Sequence, residues 1–415
     1  MRVNRRNFIE LLAVGGAASA LGVREAPAAS PPRVWETRPS AASYEPSGPT
    51  SWDPRLEINT ANLVWNLRQI QARVGGKAVM AVVKANAYGH GLVGVARALA
   101  AAGVEHFLTG KLAEARQLRA AGVHGLILNF GPFRDADAEE VIRLGISQNV
   151  YTDQVEALNR AARRRNQPAR VHIKVDTGLG RVGVPHDRAL EFIKRVAALR
   201  GVAFDGIFTT FTEEPEFDPI QLARFQAICR RAAERGLSLG LRHAASSDAI
   251  LSLPAAYTEF DIVRPGIMLY GLYPSERAEQ ERKIDLKPVL ALKTRVAYVK
   301  TLRPGESVSY HRVFTASEPE RVATLPVGYS DGFPRALEGK GSVLVAGRRC
   351  RILAISANAT IVRLGAAPAA PGDEAVLLGV QGGEEVTASE VAGLTGSSVY
   401  GVVMGMSGLL PQVYL

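Results

Sequence analysis

The chain has 415 residues, 47% of them hydrophobic and 22% charged, which is the composition of a soluble globular protein with one large domain or two ordinary ones. Its formal charge of +10 comes from basic residues spread along the chain, without interleaved aromatic residues to stack on nucleic-acid bases. The charge therefore indicates a solvated surface that attracts small anions, and no nucleic-acid partner is predicted.

The first 28 residues have the pattern of an export signal. Arg5 and Arg6 precede Phe8, an apolar run rich in alanine and glycine covers residues 11–23, and residues 26–28 are small enough for cleavage. The twin arginine resembles a Tat signal, which implies the Tat export machinery as a partner and a periplasmic location. A Sec signal or a short anchor is the alternative, but the run is too short and glycine-rich to span a membrane.

Residues 29–52 are rich in proline and serine and predict a disordered linker. From residue 53 to residue 290, short apolar runs alternate with longer amphipathic segments. The apolar runs are Val79–Val83, His106–Thr109, Leu126–Asn129, Ser147–Val150, Val171–Val175, Phe204–Thr210, Leu239–Ala244 and Phe260–Arg264. The helix-like segments include Leu112–Ala121, Gln154–Arg165, Arg188–Leu199 and Pro219–Arg235. Eight strands with intervening helices predict a TIM (β/α)8 barrel, and no GxGxxG turn favours an open sheet.

Residues 291–415 show a different pattern, in which alternating strands are separated by glycine and proline turns. The predicted strands are Thr294–Thr301, Arg321–Pro326, Gly341–Val345, Arg351–Ile355, Thr360–Leu364 and Ala375–Leu378. They predict a second, mainly antiparallel β domain. Two cysteines, Cys229 and Cys350, are too few for a metal site, and no metal is predicted. Both are expected to be buried thiols, and a disulfide between them is the alternative.

The most specific motif is AVVKANAYGHG, residues 81–91. Lys84 follows an apolar strand-like run and precedes a polar, glycine-rich turn, so its amine is expected at the mouth of a pocket, where a low dielectric lowers its pKa and makes it nucleophilic. The alternative is a lysine that extends to solvent. The string resembles the segment of alanine racemases whose lysine carries pyridoxal 5′-phosphate (PLP). That resemblance implies Lys84 as the cofactor lysine and Tyr88 as a phosphate contact.

Racemisation needs a second acid or base on the opposite face of the substrate. The segment PGESVSY resembles the family segment that carries this group, which makes Tyr310 the candidate; the alternative is a tyrosine that packs on a sheet. A tyrosine titrates near pH 10, so nearby cations must lower its pKa. In the family this tyrosine reaches the active site of the other subunit, which implies a homodimer with shared active sites.

The segment DIVRPGIMLYG, residues 261–271, is the second specific string. In alanine racemases the matching arginine faces the pyridine nitrogen and, because it keeps its own proton, leaves that nitrogen unprotonated; the resemblance assigns this role to Arg264. Gly266 and Ile267 match positions whose backbone contacts phosphate. An arginine in a salt bridge at the barrel rim is the alternative.

In KVDTGLGRVG, Arg181 matches the arginine that binds the phenolic oxygen of PLP and orients the substrate carboxylate. Lys174 matches a lysine that is carbamylated in some members; its alternative is an ion pair with Asp176. Ser247, in RHAASSDA, matches a phosphate contact or caps a helix.

Two further matches fall in the second domain. Tyr329, in VGYSDGFPR, matches a residue near the substrate entrance or the phosphate, and the backbone amide of Ala357 matches one that meets the substrate carboxylate.

Three departures from the family pattern concern substrate choice. Thr210 stands where the family often has histidine, which predicts that Arg264 lacks a supporting histidine. Asn358 is closer to broad-specificity racemases, and Gly408 replaces a bulky residue, so the pocket is expected to admit side chains larger than methyl.

The resemblance covers Leu56 to Leu415 and implies the fold-type III PLP enzymes, with the first strand near Leu56–Asn59 joined to the C-terminal domain. The sequence therefore predicts a PLP-dependent alanine racemase that acts on a small amino acid through Lys84 and Tyr310. The alternatives are a broad-specificity periplasmic racemase for lysine, arginine or serine, and a weakly active PLP-binding relative.

Overall fold

The computed structural model describes residues 52–406 and 408–415. The predicted export signal over residues 1–28, and all of the predicted linker except Trp52, lie outside the described residues. The strands are β1 Arg55–Ile58, β2 Ala78–Val82, β3 His106–Thr109, β4 Leu126–Asn129, β5 Ile146–Val150, β6 Ala169–Asp176, β7 Val184–Pro185, β8 Val202–Phe208, β9 Leu241–His243, β10 Ile262–Val263, β11 Leu290–Arg295, β12 Tyr298–Leu302, β13 Ser307–Val308, β14 Phe314–Thr315, β15 Glu320–Leu325, β16 Ser342–Val345, β17 Arg348–Ile355, β18 Thr360–Arg363, β19 Glu374–Gln381, β20 Glu384–Val386 and β21 Gln412–Tyr414.

The helices lie mostly between the barrel strands. They are α1 Thr60–Arg73, α2 Lys84–Tyr88, α3 Leu92–Ala101, α4 Leu112–Ala120, α5 Ala138–Arg143, α6 Val155–Arg165, α7 Ala189–Ala197, α8 Asp218–Ala233, α9 Ser247–Ser252, α10 Ala255–Thr258, α11 Glu276–Glu281, α12 Ala388–Thr395 and α13 Val399–Met404. Short 3-10 turns cover Asp135–Asp137, Ile267–Tyr270, Tyr310–Arg312, Tyr329–Asp331 and Arg335–Leu337. None of the helices in the described part of the chain combines the length and the apolar character needed to cross a membrane.

Eight parallel strands form a nearly closed barrel in the order β10-β2-β3-β4-β5-β6-β8-β9, and β7 adds to β6. Backbone hydrogen bonds of 2.9 Å from Asp261 N to Arg242 O and from Arg264 N to Ala245 O bring β10 beside β9. Both faces of the strands are covered, and every residue of β5 is buried although three of its five residues are polar. All eight apolar runs of the sequence coincide with barrel strands, so the predicted barrel is confirmed.

The second sheet has the strand order β12-β15-β18-β17-β16-β19-β11-β1-β21, with β20 paired to β19. The N-terminal strand β1 pairs antiparallel with β11 and parallel with β21, so the expected transfer of the first strand to the C-terminal domain is confirmed. Both cysteines are buried and unpaired, as the default interpretation expected.

The predicted strand Thr294–Thr301 is wrong, because two strands, β11 and β12, share that segment. Val296 N donates to Asp373 O, whereas Ala297 N donates to Thr324 O. The chain therefore changes partner at these two residues, from β19 to β15. The alternating pattern of side chains continues through the change and conceals it from the sequence.

Gly89 tests how tightly the barrel mouth packs on the C-terminal helices. Its φ is +85°, and a Cβ there would overlap the backbone carbonyl of Val403. We expect Gly89→Ala to lower the free energy of unfolding by about 3 kcal/mol through backbone strain and overpacking together. Urea titration followed by circular dichroism measures the change.

The matched control is Gly75→Ala. Gly75 has a similar φ of +66°, but nothing lies within 4 Å of the added Cβ. Backbone strain alone is expected to cost about 1 kcal/mol. Equal losses in the two variants would contradict the proposed overlap at Gly89.

Candidate active site

A cavity of about 360 Å³ opens at the carboxyl ends of the barrel strands. In a barrel of this kind, the loops at that end hold the catalytic residues. Seven of the residues predicted from the sequence line it: Lys84, Tyr88, Arg181, Ser247, Arg264, Gly266 and Ile267. The remaining lining is largely apolar and aromatic and includes Val82, Leu108, Phe130, Leu179, Phe208, Phe211 and Tyr400.

Lys84 is held by an unusual stretch of backbone. Ala85, Asn86, Ala87 and Tyr88 all have φ between 53° and 55°, a left-handed conformation that L-residues rarely adopt in succession. Asn86 stabilises the turn because its side chain accepts from Leu92 N at 2.9 Å. Such strain persists only where the surroundings fix it, and it is common at functional sites.

A buried carboxylate ties this turn to the neighbouring strand. Glu114, on α4, accepts from Asn86 N at 3.2 Å and from Gly110 N at 2.8 Å. Burial and then Arg181 lower the pKa of Lys84, and Glu114 opposes them. The amine is therefore a better nucleophile and base at neutral pH than a free lysine.

Arg264 is hydrogen-bonded inside the barrel. Its guanidinium lies 2.8 Å from His243 Nδ1, and it donates to Thr209 O at 2.7 Å and to Ala244 O at 3.0 Å. Burial lowers its pKa to about 9, which leaves it protonated at neutral pH. The prediction that Arg264 lacks a supporting histidine is wrong: residue 210 is a threonine, but His243 supplies the contact from β9.

Lys174 and Arg181 lie together over the ring of Phe130, at 5.0 Å and 5.5 Å from its centroid. The Lys174 amine donates to Thr210 Oγ1 at 2.8 Å. Asp176 uses its carboxylate on the backbone amides of Gly178 and Gly180, so the structure gives Lys174 a hydroxyl partner where the sequence suggested an ion pair. Burial, followed by Arg264 and Arg181, lowers the pKa of Lys174 to about 7.

A cradle for an anion lies across the pocket. Ser247 Oγ accepts from Gly266 N at 2.9 Å and from Met268 N at 3.5 Å, so its hydroxyl proton is available to a ligand. Ser246, not Ser247, is the N-cap residue of α9, so the Ser247 hydroxyl is free to bind the backbone of the neighbouring loop. A Cβ at Gly266 would lie 2.6 Å from the Tyr88 hydroxyl, so only glycine leaves room for that hydroxyl.

Tyr400, which no sequence motif predicted, lines the same pocket from α13. Its ring centroid lies 6.0 Å from that of Tyr88, which is itself 5.1 Å from Tyr270. Burial raises the pKa of both pocket tyrosines, so each keeps the proton that a phosphate oxygen would accept. The surrounding sequence, SSVYG, matches no chemical motif. Only the packing of the C-terminal helices on the barrel shows that Tyr400 reaches the pocket.

The charge of the pocket fits the predicted cofactor. Three cations, Lys84, Arg181 and Arg264, line it together with one carboxylate, Glu213. Burial and then Asp248 raise the pKa of Glu213 to about 7, so its negative charge is partly suppressed at neutral pH. An excess of positive charge beside hydroxyl donors suits an anionic phosphate, and the lysine suits an aldehyde; the residues present therefore fit PLP.

Three predicted residues lie outside the lining of this pocket. Tyr310 follows β13 and is 76% exposed, and Tyr329 is 49% exposed. Tyr329 N and Ser330 N donate to the carbonyls of Ser356 and Ala357, so these two segments form one exposed loop cluster in the second domain.

Comparison with known proteins gives a family match over nearly all of the described chain. Residues 58–274 match the alanine racemase N-terminal domain, and residues 289–414 match the alanine racemase C-terminal domain. A protein of Desulforamulus reducens named alanine racemase is 38% identical over 368 residues, which are 86% of this chain and 98% of that protein.

Solved structures agree. Alanine racemase from Streptomyces lavendulae is 34% identical and superposes with a TM-score of 0.82, covering 88% of this chain and 98% of the other. The Bacillus anthracis alanine racemase with bound L-Ala-P is 28% identical with a TM-score of 0.82, covering 88% and 96%.

Lys174 makes the stability of the cofactor-free protein depend on pH. Its pKa is about 7 in the folded protein, against 10.5 for an unperturbed lysine, so between these values the unfolded chain binds a proton that the folded protein lacks. Stability must therefore rise with pH through this window, by at most about 1.4 kcal/mol per pH unit. Lys174→Met is expected to make that rise smaller in urea titrations at pH 7, 8 and 9, leaving the part that Lys84 contributes.

Lys340→Met is the control, because Lys340 is exposed on the second domain. It should keep the pH dependence of the wild type. Parallel curves for the wild type and Lys174→Met would mean that Lys174 does not titrate in this window.

Proposed function

The chain belongs to the alanine racemase family, and on that premise we propose that it is a PLP-dependent isomerase that interconverts L- and D-alanine. The observation that carries the proposal is the pocket itself. It places the Lys84 amine, with its lowered pKa, in one cavity with Arg264 and with an anion cradle formed by Ser247 and Gly266. This combination supports binding of PLP and removal of a proton from an amino acid.

Each group in the pocket has a distinct proposed task. The Lys84 amine would hold the cofactor, while Ser247, Tyr88 and Tyr400 would donate hydrogen bonds to its phosphate. When bound, PLP would withdraw electrons from the substrate Cα and so make the α-proton acidic. Arg264 would be the partner of the ring nitrogen and, because it remains protonated, would give that nitrogen no proton. Arg181 would orient the phenolic oxygen and the substrate carboxylate.

Two bases are required because the proton leaves one face of Cα and returns to the other. We assign one face to Lys84 and the opposite face to Tyr310. Because Tyr310 is 76% exposed and does not line the pocket of its own chain, the proposal requires a homodimer in which each subunit lends its tyrosine to its partner. Tyr329 and Ala357, whose segments form one exposed loop cluster outside the pocket lining, are proposed to reach the partner's site as well.

One observation favours a broader substrate range. Gly408 stands where the family has a bulky residue, although it does not line the pocket of its own chain. Removing a side chain that confines the substrate gives room for groups larger than methyl. A broad-specificity racemase that also accepts lysine, arginine or serine is therefore the second candidate.

We also propose that the protein is exported folded through the Tat machinery to the periplasm. The proposal rests on the twin arginine at residues 5–6 and the short apolar run that follows. Export in the folded state suits an enzyme that binds its cofactor in the cytoplasm.

Mixing two inactive variants tests the shared site. Lys84→Ala and Tyr310→Phe are each expected to abolish racemisation, because each removes one of the two bases from every active site. Mixed dimers would contain one intact site of two, so remixing after dissociation should recover about a quarter of wild-type activity. Chiral chromatography of alanine, lysine, arginine and serine incubations measures the rates.

The outcomes separate the candidates. Conversion of alanine alone supports the alanine racemase, and conversion of all four supports the broad-specificity enzyme. Bound PLP without conversion of any amino acid would leave a PLP-binding relative. If the dimers are shown to exchange subunits and the mixtures still recover no racemase activity, the shared site is contradicted.

Replacement of Arg5 and Arg6 by lysine tests the export route. We expect the full-length protein to accumulate in the cytoplasm, since Tat recognition requires the arginine pair. Cell fractionation with an antibody measures its distribution. Unchanged export of the twin-lysine variant would point to the Sec route.

A further inference from the structure

The barrel interior beneath Arg264 holds three buried polar residues that the proposed mechanism does not use: His243, His172 and Ser147. Arg264 lies 2.8 Å from His243 Nδ1. A guanidinium can only donate, so His243 Nδ1 must accept. Burial and the charge of Arg264 hold the pKa of His243 well below its usual range, so the ring is neutral and its single proton is on Nε2.

That proton needs an acceptor. His243 Nε2 is sealed from solvent and has no hydrogen-bond partner among the described residues, and the same holds for His172 Nε2. The two ring centroids are only 5.3 Å apart. On its other side, His172 Nδ1 lies 2.8 Å from Ser147 Oγ. Buried N–H groups are rarely left unpaired, so two adjacent nitrogens of this kind call for a common explanation.

The backbone places the His172 ring across its neighbouring strand. Strand β8 carries one extra residue opposite β6 at this point, which brings Gly206 opposite His172. A Cβ on Gly206 would lie 2.5 Å from His172 Nε2 and 2.7 Å from its Cδ2. The imidazole therefore occupies the space that a side chain at position 206 would fill. It lies over β8 towards His243 on β9.

We propose that His243 donates its Nε2–H to His172 Nε2, directly or through one enclosed water, and that His172 donates its Nδ1–H to Ser147 Oγ. The four residues then form one directed chain from Arg264 to Ser147, which we name the interior relay. Where the two rings meet directly, the opposite tautomer of His172 would set two N–H groups against each other and leave both unpaired.

The relay gives His172 a role that rests on the proposed function. By fixing the tautomer of His243, it keeps an acceptor in front of Arg264 and so holds the guanidinium towards the ring nitrogen of PLP. His172 touches neither substrate nor cofactor and is a positioning residue. At metal sites, removal of the partner that orients a ligating histidine costs about 10- to 100-fold in affinity or activity, and we expect an effect of that order here.

Nitrogen NMR of the resting holoenzyme, labelled with ¹⁵N-histidine, tests the direction of the relay. His172→Gln and His243→Gln variants assign the signals among the seven histidines of the chain. We expect His243 as the Nε2–H tautomer and His172 as the Nδ1–H tautomer. His172 in the Nε2–H form, or either ring as a cation at pH 7, would overturn the proposal. The spectrum needs no turnover, so this result stands even if racemisation is absent.

Two replacements of His172 separate positioning from packing. His172→Phe removes the acceptor, whereas His172→Gln keeps one. We expect His172→Phe to raise the fraction of turnovers lost to transamination about tenfold and to shift the absorption of bound PLP, and His172→Gln to restore both. His124→Gln, at an exposed loop position, is the control. If the Phe and Gln variants change transamination and PLP absorption equally, His172 acts only through packing, and the relay is overturned.

Discussion

The structure depends on keeping a guanidinium charged inside a barrel. Arg264 is 5% exposed, and its burial is tolerated because one imidazole nitrogen and two backbone carbonyls accept its hydrogen bonds. Those acceptors come from β9 and from the ends of β8 and β9, so the arginine can be buried only after the barrel has almost closed. The positive charge at the pocket floor is thus a consequence of barrel closure.

The same desolvation acts on two nearby lysines, Lys84 and Lys174. Burial is the largest cause of the lowered pKa of Lys84 and of Lys174, and neighbouring arginines add to it. One carboxylate, Glu213, shares the pocket, and its own pKa is raised. An excess of cations makes a site that binds an anionic cofactor, and the same burial and positive charge lower the pKa of the lysine amine, which are the two properties that the proposed chemistry needs.

The second domain completes the site in two ways. Within the chain, Tyr400 reaches the pocket from α13 and packs beside Tyr88. The exposed loops that carry Tyr310 and Tyr329 do not line their own pocket, which is why the proposed function requires a second copy of the chain. On the proposed function, a barrel alone would keep the lysine and the anion cradle of the pocket while lacking the proposed second base.

The sequence by itself determined the barrel, the β domain and seven pocket residues, because apolar runs report burial and the motifs around Lys84, Arg181 and Arg264 are local strings. It could not show that the chain passes from one partner strand to another between β11 and β12, at Val296. The alternation of buried and exposed side chains does not depend on which strand is hydrogen-bonded alongside. The sequence also could not pair His243 with Arg264 or bring Tyr400 to the pocket. Those contacts join residues 21 and more positions apart, and only closure of the barrel and docking of α13 bring them together.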